Sequence, residues 1–500
     1  MTNALAAVVA VVAAVGAIGA GGAAAAPGGR YTPGAEGAGD VYYPYAGNGG
    51  YDVEHYDLEI AYAPPAPLAV LEGRLDGVAT IDLVATQDLD RLDLDLRGMA
   101  VDSLAIDGKP VPAIDPPTPG AAVEGAAYWQ VQDDDAGVWE LVVQPRPKLK
   151  AGQEVRLVVE YGGPTGVMFW NTSTFKTGWV TTPDGGIASG LPSTSMTWYP
   201  VSDHPTDKAT YSFEITVPEG KTAVANGLPS GDPVTEAGWT TWRWDAPDAQ
   251  ASYLTTVAVG DYELQLPVVS HDGVPILDYL DEDVTGIDRA VTTVSLSRVP
   301  GMLDLFSARF GPYPFASFGA IVDDDGVGYA METQTRPIYA KRTDEFTVAH
   351  ELAHQWFGNA VSPERWRDVW LSEGWATYLE WMWWAERAEQ PVQVKYDEWY
   401  GASRSPEYWE FQVGDPGPTG LFDGQVYDRG AAAVHALRVE VGDEAFFEAA
   451  RLWLQRHGDS TGTTEDFQAV YEEVAGTDLD EFFQVWLFDQ VKPPATWTTP

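Results

Sequence analysis

The chain has 500 residues, of which 45% are hydrophobic, 20 are Trp and 23 are Tyr, so it can bury a sizeable core and is not of the disordered class. Its length exceeds what one hydrophobic core usually serves, which predicts two domains or one large pair of lobes. A formal net charge of −45 would repel a phosphate backbone, so we expect no nucleic-acid partner. Cysteine is absent, so any metal must bind His, Asp or Glu.

The first residues of the chain have the features of an export signal. Residues 4–26 form an apolar stretch that ends in small residues before Pro27, as in a secretory signal peptide. An uncleaved anchor is the alternative, but the Ala and Gly content makes a weak membrane span. We expect residues 1–26 to be a signal peptide, the protein to be secreted, and no stable membrane span to remain after processing. Residues 27–50 are rich in Gly and Pro, which predicts a flexible N-terminal segment.

The next part of the chain has the pattern of β-strands. Leu92, Leu94 and Leu96 alternate with charged residues, and "YSFEITVPEGKTAVANG" holds two short strand-like runs around a Pro/Gly turn. These patterns predict an antiparallel β domain over residues 51–267.

Beyond about Ile276 the chain changes to helical periodicity. Helices are predicted within 290–311, 344–360, 368–388 and 427–441. One strand candidate, 318–335, interrupts them. A mostly helical domain over 268–500 is therefore expected.

The segment "HELAHQWFGN" begins at His350 within one of these helices. Successive helical residues turn by about 100°, so His354 lies about 40° from His350 and Glu351 lies on the same face. Two imidazoles one turn apart can bind a single Zn²⁺, and an adjacent carboxylate can reach the water on the metal. The pentapeptide alone also fits a helix with a charged, solvated face.

A third zinc ligand is expected in the following helix. Glu373 stands in "DVWLSEGWATYLEW", after the helix breaker Pro363, where an antiparallel helix would bring its carboxylate back to the histidines. The flanking Trp370, Leu371 and Trp375 indicate a buried setting, in which an unpaired carboxylate would be costly. The other five histidines lack ligand spacing.

"HELAHQWFGN" followed by "WLSEGWA" closely resembles the zinc aminopeptidases of the aminopeptidase N family, gluzincins whose signature is H-E-x-x-H, eighteen residues, then E. "WYPVSDHPTDKAT", "FGPYPF" and "YDRG" are similar to further segments of that family and occur in its order. The resemblance implies an α+β multidomain fold, with an antiparallel β-sandwich or saddle domain followed by a thermolysin-like, mostly α-helical peptidase domain. It also implies a short form without the C-terminal helical domain of many relatives.

The resemblance assigns roles to individual residues. It implies that His350, His354 and Glu373 bind one Zn²⁺ per chain and that Glu351 is the general base. Tyr427, at the first position of "YDRG", would donate a hydrogen bond to the oxyanion of the tetrahedral intermediate.

Recognition of the substrate departs from the family pattern. In place of G-A-M-E-N the chain has Tyr329, Ala330, Met331, Glu332 and Thr333. The resemblance implies that Ala330, Met331 and Glu332 contact the substrate and that Glu332 anchors its free amine.

A second departure is in the β domain. Many relatives supply a Gln or Glu to the amine, and an ungapped count places Leu191 there, with Ser189 two residues earlier. If the count holds, amine binding depends more heavily on Glu332; a shifted loop is the alternative.

The sequence thus predicts a secreted zinc-dependent aminopeptidase that acts on peptides. Two alternatives remain at this point: a zinc endopeptidase with an open cleft, and an inactive zinc-fold binding protein. A free-amine requirement would separate the first from an aminopeptidase, and turnover would exclude the second.

Overall fold

The computed structural model describes residues 31–65, 72–118, 120–165, 168–170, 175–324 and 326–495. The predicted signal peptide, residues 1–26, lies outside this part of the chain. Within the described residues no helix is long and apolar enough to cross a bilayer.

The N-terminal domain is built on a large sheet whose strands alternate between core and solvent, as their sequences predict. In Lys208–Pro218 every second side chain is buried, and Tyr51–Ala63 shows the same alternation on either side of a bulge between Val53 and His55, because successive residues of a strand point to opposite faces. In spatial order the sheet holds Leu228–Pro229, Trp239–Ala251, Lys208–Pro218, Tyr51–Ala63, Gly73–Ala85, Glu154–Thr165, Ala100–Ile106 and Lys109–Val111, with Val234–Glu236 beside Trp239–Ala251.

Two smaller sheets complete this domain. The first contains Thr32–Pro33, Leu89–Asp95, Val138–Gln144 and Ala127–Asp133 in spatial order. The second contains Met168–Trp170, Phe175–Thr181, Gly186–Ser189, Val257–Gly260 and Thr222–Ala225. Most pairings are antiparallel, but Lys208–Pro218 runs parallel to Tyr51–Ala63.

A third small sheet begins the C-terminal domain, with Tyr262–Leu264, Pro275–Asp281, Phe318–Asp323 and Ile338–Ala340 in spatial order and Val268–Val269 beside Pro275–Asp281. Tyr262–Leu264 pairs with Pro275–Asp281, so the predicted boundary at residue 267 falls inside this sheet. The predicted strand 318–335 is shorter than expected: after Asp323 the backbone leaves the sheet, and Met331 returns in a single bridge to Ile338.

The remainder of the C-terminal domain is helical. Its helices are α1 (Gly286–Leu296), α2 (Val299–Phe310), α3 (Glu345–His354), α4 (Trp370–Ala388), α5 (Gln393–Gly401), α6 (Pro406–Glu410), α7 (Gly424–Val441), α8 (Asp443–His457), α9 (Thr464–Ala475) and α10 (Asp480–Phe483). Short helical turns occur at Ser195–Thr197, Ser252–Leu254, Trp366–Asp368 and Gln484–Phe488, and Val361–Pro363 pairs with Ser460–Gly462.

The segment that the sequence predicts to be flexible, 27–50, makes many contacts over residues 31–50. Thr32 pairs beside Leu89, and the Gly34 N–H donates to the Arg91 carbonyl at 2.8 Å. The Gly47 N–H donates to the Asp95 carboxylate at 3.0 Å. Backbone hydrogen bonds to the small sheet thus give residues 31–50 defined partners, although this Gly/Pro-rich run has no periodicity of its own. Residues 27–30 lie outside the described residues, and the flexibility of 27–50 stays a prediction.

Several acidic side chains lie close together on the solvent face of the large sheet. Glu59 lies directly beside Glu214 on the neighbouring strand, and Asp57 is two residues away on the same face. Partial burial, then Glu214 and Asp57, raise the pKa of Glu59. Like charges at directly paired positions are destabilising, so Glu59 and Glu214 repel each other at low ionic strength, although Arg243 Nε also pairs with Glu214 at 2.8 Å.

We expect added salt to stabilise the fold. Raising NaCl from about 0.1 M to about 1 M shortens the screening length from about 10 Å to about 3 Å, so Tm should rise by at least about 2 °C. Glu59→Gln should have a higher Tm than the wild type at about 0.1 M NaCl and the same Tm at about 1 M NaCl. The exposed turn variant Glu219→Gln should have the wild-type Tm at both salt concentrations. A Tm that falls or stays constant with NaCl would contradict the repulsion.

Candidate metal centre and active site

The two histidines lie on α3, whose start is fixed by a capping residue. The Asp344 carboxylate accepts the Phe346 and Thr347 N–H groups at 2.9 and 3.0 Å. A side-chain acceptor at this position satisfies backbone donors that the helix itself leaves free. The helix then presents His350 and His354 one turn apart, with ring centroids separated by 4.8 Å.

Glu373, in the first turns of α4, completes a group of three donor atoms. Its Oε2 lies 3.3 Å from His350 Nε2 and 3.3 Å from His354 Nε2. Zinc bonds to N and O ligands are about 2.0–2.1 Å, so the corners of a zinc tetrahedron are separated by about 3.3–3.4 Å. The spacing and chemistry of the donors therefore fit a Zn²⁺ ion with three protein ligands.

The far side of each imidazole also has a partner. His354 Nδ1 lies 2.9 Å from Ser372 Oγ and 3.3 Å from the Phe357 carbonyl, so its N–H points there and Nε2 faces the metal position. His350 Nδ1 lies 3.6 Å from Glu380 Oε2. Such outer contacts fix the ring orientation of metal-binding histidines. Neither Ser372 nor Glu380 carries a sequence signal that separates it from an ordinary helix residue.

The buried carboxylates and histidines of this centre shift each other's pKa values. Burial alone would raise the pKa of Glu373, but His354 and His350 hold it at about 2, so the carboxylate stays ionised. Burial raises the pKa of Glu351 to about 7, although both histidines lower it. A carboxyl group with a pKa near neutrality suits proton transfer at physiological pH.

Tyr427 faces the same centre from α7. Its ring stacks on that of His350 with centroids 5.9 Å apart. Burial, then Glu373 and Glu332, raise the pKa of its phenol well above the usual value. The phenol therefore stays protonated and can donate a hydrogen bond.

A pair of glycines lets α7 approach α4 closely enough for this contact. A Cβ on Gly430 would lie 2.9 Å from the Cα of Gly374, and a Cβ on Gly374 would meet the Gly430 backbone at the same distance. Gly374 follows Glu373 directly, and Gly430 lies one helical turn after Tyr427. The close contact of the two backbones at this helix crossing therefore determines the distance between Glu373 and Tyr427.

Glu332 is tied to the helix that carries the histidines. Its backbone carbonyl accepts hydrogen bonds from Asn359 Nδ2 at 2.8 Å and Gln355 Nε2 at 3.3 Å. Its side chain is buried, and oxygen atoms of Glu332 and Glu351 lie within 4.8 Å of a His354 ring nitrogen. The Glu332 carboxylate thus sits at a fixed place beside the donor group.

The cavity above these groups has a volume of about 180 Å³. It is lined by Phe175, Thr177, Leu191, Tyr329, Ala330, Glu332, His350, Glu351, His354, Glu373, Phe422 and Tyr427. Met331 does not line it: its side chain is fully buried and its backbone pairs with Ile338, because neighbouring residues of an extended segment point to opposite sides. The Met331 side chain thus faces the core, and the predicted contact of Met331 with substrate stays a prediction.

The residues that the β domain contributes to the cavity agree with the second departure from the family pattern, the absence of a Gln or Glu at Leu191. Leu191 lines the cavity, whereas the Ser189 hydroxyl is within hydrogen-bond distance, 2.9 Å, of the Tyr329 hydroxyl. Tyr329 also donates to the Lys176 carbonyl at 2.7 Å. Among the described cavity residues, the carboxylates are Glu332, Glu351 and Glu373, and none comes from the β domain.

The β domain also holds the turn that follows α3. Lys208 Nζ donates to the carbonyls of Asn359 and Ala360 at 2.7 and 3.1 Å. The Tyr253 hydroxyl donates to the Gly358 carbonyl at 3.1 Å. The connection between the histidines and Glu373 is thus shaped by the neighbouring domain.

Comparison with known proteins agrees with this architecture. Residues 52–254 match the Peptidase M1 N-terminal domain, and residues 328–486 match the Peptidase family M1 domain. The chain belongs to peptidase family M1. The predicted family and the predicted fold class, a β-rich domain followed by a helical catalytic domain, are confirmed.

Relatives within M1 include enzymes and solved structures. The chain is 29% identical over 315 residues to Aminopeptidase N of Streptomyces lividans, covering 57% of this chain and 36% of that protein. It is 24% identical over 463 residues to Glutamyl aminopeptidase of Bos taurus, covering 86% of this chain and 46% of that protein. The matched part of the chain therefore covers 36% to 46% of the length of these two curated relatives.

One solved M1 structure matches over almost its whole length. The M1 zinc metallopeptidase from Deinococcus radiodurans is 27% identical, with a TM-score of 0.78 and coverage of 92% of this chain and 99% of that one. A mutant of that protein bound to a Tyr-Ser-Ala substrate gives a TM-score of 0.79 at 28% identity, with the same coverage of both chains.

We expect Gly430→Ala to disturb the site through the helix crossing. The added methyl would force α7 away from α4, lowering the free energy of unfolding by about 1–3 kcal/mol and lowering peptide turnover. Gly424→Ala is the matched control in the same helix, since a Cβ there meets nothing within 4 Å. Equal Tm and turnover in the two variants would contradict the importance of this contact.

Proposed function

We propose that this M1 protein is a zinc aminopeptidase that removes N-terminal residues from peptides. The observation that carries the proposal is the meeting, in one cavity, of a zinc-spaced donor group with the separate buried carboxylate of Glu332. The names of the M1 relatives, and the Tyr-Ser-Ala substrate bound by the mutant from Deinococcus radiodurans, support the same activity.

His350, His354 and Glu373 would hold the metal. When bound, zinc supplies a Lewis acid that polarises a carbonyl and lowers the pKa of a water molecule toward about 7. Glu351 would accept a proton from the attacking water and hold it on its carboxylate until the leaving amine takes it. Its buried position and raised pKa support this role.

Tyr427 would stabilise the charge that develops on the substrate oxygen. Burial and the neighbouring carboxylates raise the pKa of its phenol, which favours the protonated form, and its ring stacks against that of His350, so the hydroxyl is a hydrogen-bond donor beside the metal position. A donor placed in this way is typically worth about 3–4 kcal/mol in the transition state.

Glu332 would bind the free amine of the substrate. Because its backbone is tied to Gln355 and Asn359, the carboxylate stays at a set distance from the metal position and selects the first peptide bond. Ala330, which lines the cavity beside it, would contact the substrate backbone. No carboxylate from the described part of the β domain shares this cavity, so Glu332 carries most of the amine recognition.

Glu351→Gln tests the proposed base. It should lower kcat by about 10²–10⁴-fold without removing zinc, because the amide cannot accept the proton but leaves the metal donors in place. Kinetics with an aminoacyl fluorogenic substrate, together with metal analysis, measure both effects. Glu364→Gln, an exposed change in the turn after α3, is the control, and unchanged turnover in Glu351→Gln would remove the mechanism.

Amine recognition is tested by blocking the amine. An N-acetylated peptide should be cleaved far more slowly than its free form, and Glu332→Gln should lower kcat/KM for the free form by about 10–100-fold, the loss expected for a hydrogen bond to a charged group. Leu or Ala in place of Glu332 would also alter packing, so Gln is the better probe. Equal rates for both peptides would instead identify an endopeptidase.

We also propose that the protein is exported, on the basis of the apolar residues 4–26 alone. Mass spectrometry of protein recovered from the culture medium of its expression host should give a chain that starts close to Pro27. A full-length chain retained with the cells would contradict export.

A further inference from the structure

The N-terminal residues 31–50 connect the two domains at a place that bears on the active site. Both ends of this segment are held by the small sheet, through Gly34 to the Arg91 carbonyl and through Gly47 to the Asp95 carboxylate. The residues between them cross to the helical domain. We call residues 40–43 the clasp.

Asp40 contacts the turn that leads into α4. Its Oδ2 accepts the Trp366 N–H at 2.8 Å, and its Oδ1 accepts the N–H groups of Tyr42 and Tyr43 at 2.7 and 3.1 Å. His204 Nε2 of the β domain lies 3.5 Å from Oδ2. The carboxylate side chain is fully buried, so these contacts replace its solvation.

The turn held by Asp40 leads directly to the third zinc donor. Trp366 is almost fully buried and opens the short helical turn Trp366–Asp368, which runs into α4. The backbone continues without a break, because the Glu373 N–H donates to the Val369 carbonyl at 3.0 Å. The Val369 N–H in turn donates to the Trp366 carbonyl at 3.1 Å, so a shift of Trp366 would be passed along two successive turns to Glu373.

Tyr42 and Tyr43 contact the loop that leads into α7. The Tyr42 hydroxyl donates to the Asp415 carboxylate and accepts the Gly417 N–H at 2.9 Å. The Tyr43 hydroxyl donates to the Pro418 carbonyl at 3.2 Å. The same loop ends at Phe422, which lines the cavity, and is followed by the helix that carries Tyr427.

We propose that residues 40–43 are positioning residues that set the third zinc donor through Asp40 and the oxyanion tyrosine through Tyr42 and Tyr43. This inference rests on the function proposed above for Glu373 and Tyr427. The two halves of the clasp act on different groups, so they make different predictions.

Two conservative variants test the role of Asp40 and the role of Tyr42 separately. Asp40→Asn keeps one oxygen as acceptor for Tyr42 and Tyr43 but places an amide NH2, a donor, where Oδ2 accepts the Trp366 N–H. It should raise the zinc dissociation constant, measured by competition with a chelator, by about 10-fold, the lower end of the loss typical when the orientation of a metal ligand is disturbed. Tyr42→Phe removes only a hydroxyl; it should lower kcat by about 10-fold while KM and the zinc dissociation constant stay within about a factor of two.

Tyr45→Phe is the matched control, because Tyr45 belongs to the same segment and is 41% exposed. The Tm of each variant is measured alongside. A lower Tm with kcat and zinc affinity equal to those of Tyr45→Phe would show that the clasp only stabilises the fold, and would overturn the proposal. If Asp40→Asn does not fold, Asp40→Glu, which keeps the charge but moves it, tests the zinc donor in its place, and Tyr42→Phe still tests the tyrosine half.

The wild-type measurements separate this proposal from the one on which it rests. A wild-type protein that binds no zinc and hydrolyses no peptide would refute the proposed function. A wild-type protein that does both, with clasp variants that match the control, would refute the clasp alone.

Discussion

The burial of Glu373 between two imidazoles is the interaction on which the rest of the active site depends. An ionised carboxylate in the protein interior is costly unless charged partners surround it. Here His350 and His354 each lie 3.3 Å from one oxygen of Glu373, and the spacing of these donors fits a tetrahedral metal ion. Zinc would neutralise the carboxylate at the centre that these three side chains share.

Most of the surrounding structure can be understood as a means of keeping that centre in place. The Gly374 and Gly430 contact brings α7 against α4, which sets Tyr427 over His350. The β domain holds the turn after α3 through Lys208. A two-domain chain thus uses the interface between its domains to orient donor groups that all come from one of them.

Local sequence patterns predicted the parts of this site that depend on helix geometry. Two histidines four residues apart must share a helix face, and Glu373 follows at a spacing that a return helix can bridge, so these positions were accessible from spacing alone. The strand-like run that begins at Tyr211 likewise predicted a half-buried strand, which the structure places at Lys208–Pro218. The resemblance to a known family supplied Tyr427 and Glu332, which no periodicity identifies.

The features that the sequence did not predict all depend on tertiary contact. Residues 31–50 have no hydrophobic period, and their order comes from hydrogen bonds to strands and turns far along the chain. Met331 was placed with its neighbours in the substrate site, but the pleat of the backbone turns its side chain into the core. Ser372 supports His354 only because the two helices pack side by side.

The most direct test of this account is an anomalous diffraction map of the purified protein, collected at the zinc absorption edge. The account predicts one strong peak at about 2.0–2.2 Å from His350 Nε2, His354 Nε2 and a Glu373 carboxylate oxygen. A map with no peak there, or with Glu373 turned away from the two imidazoles, would contradict it.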